Sequence, residues 1–554
     1  MTATATTLPS MNAASDKDPF NNNCYGTTID RPYKPVQLRT FLSLPVLDVN
    51  DFNDRVIRGY EEGYGEKELP ADLPLARSLI PAGTASLRDF SYIAPDLPEY
   101  LPENCTGCMD CVTECPDTAI LGKVLGEDEW ERKVRAVPAG DREMYQAQWS
   151  RTKKYYDAGK KKQGVGGMFQ IIIDPSKCKG CAECVTVCDD NALKMVAKTD
   201  DVMAKARKSH RLFKDMGPSD EKFISGSLLI DMMLKEQTHI YTGGAGSCAG
   251  CGEGTALRML CAAVGSKHGE QWGIVAATGC NTVYTSTYPY NPYLVPWTNS
   301  LFENAPTYAI GVRMRWDQMG WQDKPLWVVG GDGAMYDIGF QALSRLFASG
   351  MNVKVFVLDT QVYSNTGGQA STASFTGQNT KMSVHGSALG GKQERRKEIA
   401  QIAMMHPRTY VAQTTCTHAN HFYKAVLGAL EFDGPAIVVC YTTCQPEHGV
   451  ADNMAGEQAR LAVDTRAFPL VVYDPRAGNS IKSRLSLMGN PNMKGDWYVH
   501  PKTGNEVTFI DFARSEGRFA KHFDKYGNPS DTILAAKQDR LENWHTLQDL
   551  AGLR

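Results

Sequence analysis

The chain has 554 residues, 42% hydrophobic and 22% charged, with a formal net charge of −3 at pH 7. That length exceeds what one hydrophobic core organises and predicts about two to four domains. The near-neutral balance excludes a bulk field for nucleic acid or anionic lipid, and no apolar run approaches the roughly 18–20 residues of a membrane span. Residues 1–23 are rich in Thr, Ser, Ala and Asn and lack the basic start and apolar stretch of a secretory leader. They read as a disordered tail or an arm that folds on a partner. Sixteen cysteines in tight clusters point to metal or cluster ligation in a reducing, cytoplasmic setting rather than to a disulfide framework.

In chain order, residues 1–98 carry Pro-bearing segments at 69–74 and 95–98 and one short helical pattern at 46–60. They are expected to form an arm that wraps a partner. Residues 99–215 hold two cysteine runs, separated by an expected insertion at 116–177 whose charged stretch 130–162 is helical in pattern. Residues 216–475 read as α/β. Pro325-Leu-Trp-Val-Val-Gly-Gly is a buried strand ending in glycines, and Ile338, Ala342, Leu343, Leu346 and Phe347 then recur at helical spacing. Asn352 to Asp359 and Pro435 to Tyr441 are further buried strands, so strand, helix, strand predicts a parallel βαβ unit. Residues 476–554 are charged and rich in Asn, Gly and Lys, an extension with a helix at 532–550.

The first cysteine run is Cys105, Cys108, Cys111 and Cys115, followed by Pro116; the second is Cys178, Cys181, Cys184 and Cys188, followed by Asp189. Both are C-x₂-C-x₂-C-x₃-C, the ligand pattern of a 4Fe–4S cluster. In two-cluster ferredoxins the fourth cysteine serves the other cluster. Cys105, Cys108, Cys111 and Cys188 are therefore expected to hold one cluster, and Cys178, Cys181, Cys184 and Cys115 the other. Two zinc knuckles are the rival reading, but zinc does not need this eightfold duplication. The absent proline after Cys188 bears on the local turn, not on ligation.

Gly330-Gly331-Asp332-Gly333 follows a strand and precedes a helix. Glycines there let backbone N–H groups approach a diphosphate, and a carboxylate there can hold Mg²⁺. The next strand ends at Asp359-Thr360 and runs into Gln361-Val362-Tyr363-Ser364-Asn365-Thr366-Gly367-Gly368. The rival is an ordinary βαβ unit with a Gly turn. An Asn-bearing turn about thirty residues beyond Gly-Asp-Gly is the thiamine diphosphate signature.

Residues 330–369 closely resemble the thiamine domain of pyruvate:ferredoxin oxidoreductases. The resemblance implies an α/β thiamine diphosphate-binding fold, a parallel sheet flanked by helices, joined to an inserted-type two-cluster ferredoxin-like α+β domain. It implies that Asp332, Thr360 and the carbonyl of Val362 bind Mg²⁺, that Gly331 and Gly333 approach the cofactor, and that Asn365 lies near the thiazolium as a catalytic residue. Most thiamine enzymes have Asn where Thr360 stands, and this departure itself favours the ferredoxin-linked family. The family's proximal cluster maps onto Cys248 and Cys251 of Ser-Cys-Ala-Gly-Cys-Gly-Glu, Cys280 of Ala-Thr-Gly-Cys, and Cys444 of Tyr-Thr-Thr-Cys-Gln-Pro-Glu-His-Gly. By spacing alone, Cys248 and Cys251 remain a redox dithiol or zinc half-site. Cys440 is the weak rival to Cys444 and reads as core; Cys24, Cys261 and Cys416 read as unliganded thiols. Glu253 either borders the cofactor, as the resemblance implies, or helps a helix macrodipole. The loop from Asn299 to Glu303 is implied to border the active site. The basic run from Lys392 to Lys397 reads as a solvated helix start rather than a coenzyme A contact, and His448 as a polar loop histidine.

The activity implied is coenzyme A-dependent oxidative decarboxylation of pyruvate, with electrons passed through three 4Fe–4S clusters to ferredoxin or flavodoxin. Single-chain members of the family are about twice this length. No resemblance to their N-terminal domains precedes residue 98, so the expectation is a β-type subunit working with an α subunit, as (αβ)₂. Another 2-oxoacid such as 2-oxoglutarate is the alternative substrate. An electron-transfer subunit with a vestigial thiamine site is the alternative class, opposed by the intact Asp332, Thr360 and Asn365.

Overall fold

Strands buried on both faces read as continuous apolar runs, because helices cover both sides of a parallel sheet. The computed structural model of the chain bears this out, and describes residues 49–65, 67, 79–381 and 390–554. Cys24 and most of the first half of the expected arm lie outside the described residues. Four strands belong to the cysteine-rich part: β1 (Asp96–Tyr100), β2 (Ile120–Gly126), β3 (Gly167–Ile173) and β4 (Leu193–Ala197). The central sheet is built from β5 (Gly273–Ala277), β6 (Trp297–Ser300), β7 (Leu326–Gly331), β8 (Lys354–Asp359), β9 (Tyr410–Thr415), β10 (Ala436–Tyr441), β11 (Val471–Tyr473) and β12 (Leu485–Ser486).

Among the described residues the central sheet has eight strands in the order β12-β11-β9-β10-β8-β7-β5-β6. From β6 to β9 all neighbours are parallel, and β11 and β12 close one edge antiparallel. The register pairs Val328 with Val355 and Val357 with Val439. Because side chains alternate between faces, Val275, Val328, Val355 and Ile437 enter one core, while Ile274, Trp327, Phe356 and Val438 enter the other. The second core is covered by the helix Gly252–His268, buried for nearly its whole length. Such a helix is apolar all round because it lies between two bodies: the sheet on one side, the cysteine-rich part on the other.

The insertion is a ribbon. β2 and β3 pair antiparallel along seven residues. Helices Glu127–Ala136 and Ala139–Gln146 cap it around Trp130, Tyr145, Trp149 and Tyr156. The helical pattern at 46–60 is observed as consecutive helical turns from Val49 to Glu61. Phe52, Val56 and Ile57 pack there with Tyr288 and Tyr290 of this same chain. β1 begins at Asp96, so it straddles the expected boundary at 98.

The C-terminal stretch differs most from its composition. Phe509, Phe512, Phe519, Ile533 and Trp544 are fully buried and share a core with Phe375, Tyr441 and Phe468. The helix runs from Asp531 to Ala551, as the 532–550 pattern predicts. Widely spaced aromatics carry large apolar area per residue, so few of them suffice to anchor a charged sequence. No helix among the described residues is long and apolar enough to cross a membrane.

Candidate functional site

Ligand sites of parallel sheets form where strands end at their carboxyl edge. β5 ends into Thr278-Gly279-Cys280, β7 into Asp332, β8 into Thr360, and β10 into Thr442-Thr443-Cys444. One cavity at this edge is lined by Glu253, Cys280, Phe302, Asp332, Gly333, Thr360, Val362, Ser364 and Asn365. Phe302 brings in the loop that follows β6, and Asn365 is exposed at the cavity.

Three oxygens converge on its floor. Thr360 donates to Asp332 Oδ1 from Oγ1 at 3.0 Å and from its N–H at 3.3 Å. The same Oγ1 lies 3.0 Å from the carbonyl oxygen of Val362. Carboxylate, hydroxyl and carbonyl are the hard oxygen donors that Mg²⁺ prefers, with phosphate and water completing its shell. Burial pushes Asp332 up to about 7, with the Asp359 carboxylate the next cause; a cation here would reverse that. Gly333 packs closely against Tyr363, since a Cβ there would lie 2.3 Å from its ring. The donor chemistry fits a metal-bound diphosphate.

Val362 is aimed by its neighbour. Gln361 has φ +57°, an uncommon conformation for a residue with a side chain. Its carbonyl accepts from Ser374 Oγ at 2.6 Å and Gln378 Nε2 at 2.8 Å, and its Oε1 from Arg518 at 3.0 Å. His448 corrects the expectation of a polar loop histidine. It is fully buried on the short helix Gln445–His448, and its Nε2–H donates to the Thr360 carbonyl at 2.8 Å. Burial and Arg518 hold it well below the usual histidine range, in the neutral form.

Four cysteines stand at the same edge. Cys280 is pushed far up by burial, then by Glu253, Cys251, Cys444 and Cys248. Cys251 likewise responds to Glu253, Cys444 and Cys248. Thiols that oppose one another's ionisation are neighbours, so the structure gathers this set. Ser364 ties it to the oxygen site: its hydroxyl donates to Thr360 Oγ1 at 2.8 Å and stands against Cys444, whose thiolate it favours. Glu253 is buried, with Oε2 unpartnered, and burial raises it to about 8, helped by Asp332. Cys440 is fully buried in β10 with its sulfur 4.0 Å from that of Cys416, and Cys261 is fully buried; these three are core thiols.

The two ferredoxin-type runs form a structural repeat. Gly107 and Gly180, Met109 and Ala182, and Thr118 and Asn191 occupy matching places, and all have positive φ between 53° and 78°. Each run then opens a one-turn helix, Asp110–Thr113 or Glu183–Thr186. The fourth cysteines cross over. Cys111 is opposed by Cys108, Cys105 and Cys188, whereas Cys181 is opposed first by Cys115, and Cys184 by Cys115 and then Cys111. Asp189 in place of proline leaves this turn intact. Among the described residues no group of three or more His, Cys, Asp or Glu is gathered tightly enough for a single metal ion; a cubane holds four thiolates at separate corners.

Comparison with known proteins shows what parts of the chain are similar to. A model described as thiamine pyrophosphate enzyme, C-terminal TPP binding domain, matches residues 277–440, and one described as 4Fe-4S binding domain matches 171–194. Pyruvate:ferredoxin oxidoreductase of Moorella thermoacetica is 28% identical, over 91% of this chain and 46% of its own length. Pyruvate-flavodoxin oxidoreductase of Rhodospirillum rubrum is 27% identical, over 83% of this chain and 42% of its own length. Over most of its length the chain is similar to pyruvate:ferredoxin and pyruvate-flavodoxin oxidoreductases. It spans less than half the length of these relatives. A solved 2-oxoglutarate:ferredoxin oxidoreductase from Magnetococcus marinus aligns at 22% identity over 36% of this chain and 64% of that chain, with a TM-score of 0.31.

The basic run corrects its expectation. Lys392 and Arg396 are buried, and the helix starts only at Ile399. Lys392 donates to the Ser374 carbonyl at 2.7 Å. Arg396 forms a buried ion pair with Asp359, and its guanidinium stacks near Phe375 and Phe468. The charge pattern concealed this, because three consecutive exposed residues, Gln393 to Arg395, separate the two buried cations.

Proposed function

We propose that the chain is the diphosphate-binding and electron-carrying β-type subunit of an enzyme that oxidises pyruvate. Pyruvate and coenzyme A give acetyl-CoA and carbon dioxide, and two electrons leave singly to ferredoxin or flavodoxin. Asp332, Thr360 and the Val362 carbonyl would hold Mg²⁺ and through it the diphosphate. Cys248, Cys251, Cys280 and Cys444 would hold the cluster at the cofactor, and the two crossed cysteine sets the outer clusters. When bound, thiamine diphosphate supplies the electron sink for breaking the bond to the carboxylate carbon, and the clusters supply one-electron steps. Phe302 walls one side of the cavity, and Asn365 stands at the cavity as a hydrogen-bonding group for substrate. Glu253 separates the metal from the thiols with a carboxylate. The observation that supports this reading is the shared cavity, whose lining includes Asp332, Thr360 and Val362 together with Cys280.

The groups that recognise the substrate carboxylate and the aminopyrimidine are assigned to an α-type partner carrying the family's remaining domains. The test is anaerobic reconstitution of the full chain with iron, sulfide, Mg²⁺ and thiamine diphosphate, followed by viologen reduction with a 2-oxoacid panel and coenzyme A. Pyruvate should give the highest rate, and only with the partner present. Full activity of the chain alone would overturn the split-subunit reading. A preference for 2-oxoglutarate would overturn the substrate, and a thiamine-loaded complex inert to every 2-oxoacid would overturn the oxidoreductase reading.

A further inference from the structure

We infer that the buried guanidinium of Arg258 is a positioning charge on the electron path, raising the potential of the cluster held by Cys115, Cys178, Cys181 and Cys184. This rests on the three-cluster reading above. Arg258 lies two turns after Cys251 on the helix Gly252–His268 and is 3% exposed. It leaves that helix and enters the loop of the first cysteine run. Nη1 donates to the carbonyls of Val112 and Cys115, the latter at 3.0 Å, and Nη2 to Ile120 at 3.3 Å. These partners are carbonyls, which carry only partial charge. The carboxylate nearby, Asp117, is already engaged by Lys179 at 2.7 Å.

A guanidinium is costly to bury without a full counter-charge. The hydrogen bonds place that counter-charge: Nη1 reaches the carbonyl of Cys115 itself and that of Val112, the residue after Cys111. Cys115 belongs to one crossed set and Cys111 to the other, so Arg258 stands where the two sets meet, and nearer the first. A cluster ligated by four thiolates is an anion that gains further negative charge on reduction. Nearby positive charge and hydrogen bonding are among the protein's means of setting cluster potential. A fixed cation thus favours the reduced form, and more for the Cys115 set than for the Cys111 set. Since Arg258 is on the helix whose start carries Cys251, the same helix joins the cluster nearest the substrate to the next acceptor and makes that acceptor easier to reduce.

The experiment is a redox titration of the reconstituted full chain, followed by electron paramagnetic resonance, with chemical reductant so that no substrate turnover is needed. Arg258→Gln should lower the potential of one cluster, changing its reduced-to-oxidised ratio at fixed poise about tenfold, near 59 mV for one electron. Arg258→Lys, which keeps the charge, should restore most of it. Asp117→Asn, which removes an opposing charge, should shift the same cluster upward. Unchanged potentials in an iron-replete Arg258→Gln protein would overturn the inference. If that variant does not fold, an unshifted cluster in Asp117→Asn would overturn it instead. Absence of three cluster signals in the unaltered chain would be a failure of the three-cluster reading, and is separately visible.

Discussion

Asp332→Asn is expected to abolish retention of thiamine diphosphate and to lower 2-oxoacid oxidation at least about a hundredfold, since loss of even an outer-sphere partner of a metal ligand costs ~10–100-fold. Asn keeps the acceptor that Thr360 uses and the size that Ser371 packs against, whose hydroxyl donates to Asp332 Oδ2. What it removes is the negative charge among the three oxygen donors. It also removes a carboxylate that the buried Asp359 opposes, so the metal-free variant should unfold no earlier than the unaltered protein. Iron content should not change, because no cysteine moves. Thiamine content after desalting, iron content and the viologen rate check all three. Full thiamine retention at an unaltered rate would place the metal elsewhere.

The second large effect is on stability. Arg396→Met is expected to cost about 3–5 kcal/mol, the usual result of breaking one side of a buried ion pair. Arg396 and Asp359 are 1% and 0% exposed at their side chains. Solvent therefore does not screen the charge left behind on Asp359, which also accepts from the Tyr336 hydroxyl. Asp359 immediately precedes Thr360, so the damage falls on the loop that presents Thr360 and Val362. The thermal midpoint should fall by roughly 6–20 °C for a unit of this size. Arg396→Met combined with Asp359→Asn should recover most of the loss, because no unpaired charge then remains. Equal destabilisation in single and double variants would mean that packing against Phe375 and Phe468, rather than charge, makes the contribution.

The parts legible in the sequence are those where chemistry demands fixed spacing. Cysteine runs with two-residue gaps announce their turns, and buried parallel strands announce themselves as unbroken apolar runs, as Leu326 to Val329 do. The same spacing leads to the expectation that Cys115 and Cys188 each serve the other run's cluster. Other features depend on contacts between distant segments. Arg396 looked like one member of a solvated basic run, and only the fold brings Asp359 beneath it. His448 looked like a loop residue until Thr360 and Glu516 closed around it. Residues 476–554 looked like a polar extension, because the aromatics that bury them are spaced too widely to form a periodic pattern. The repeat of left-handed turns at Gly107 and Gly180 and at Met109 and Ala182 became visible only in the structure, since a non-glycine in that conformation gives no signal in the sequence.

The joining of the metal site and the thiols into one centre is tested most directly by counting what the anaerobically reconstituted full chain holds. Three clusters and one cofactor predict about twelve irons and one thiamine diphosphate per chain, with Cys280→Ser removing about one third of the iron and leaving the signals of the two crossed sets. About eight irons in the unaltered chain, unchanged by Cys280→Ser, would contradict the account.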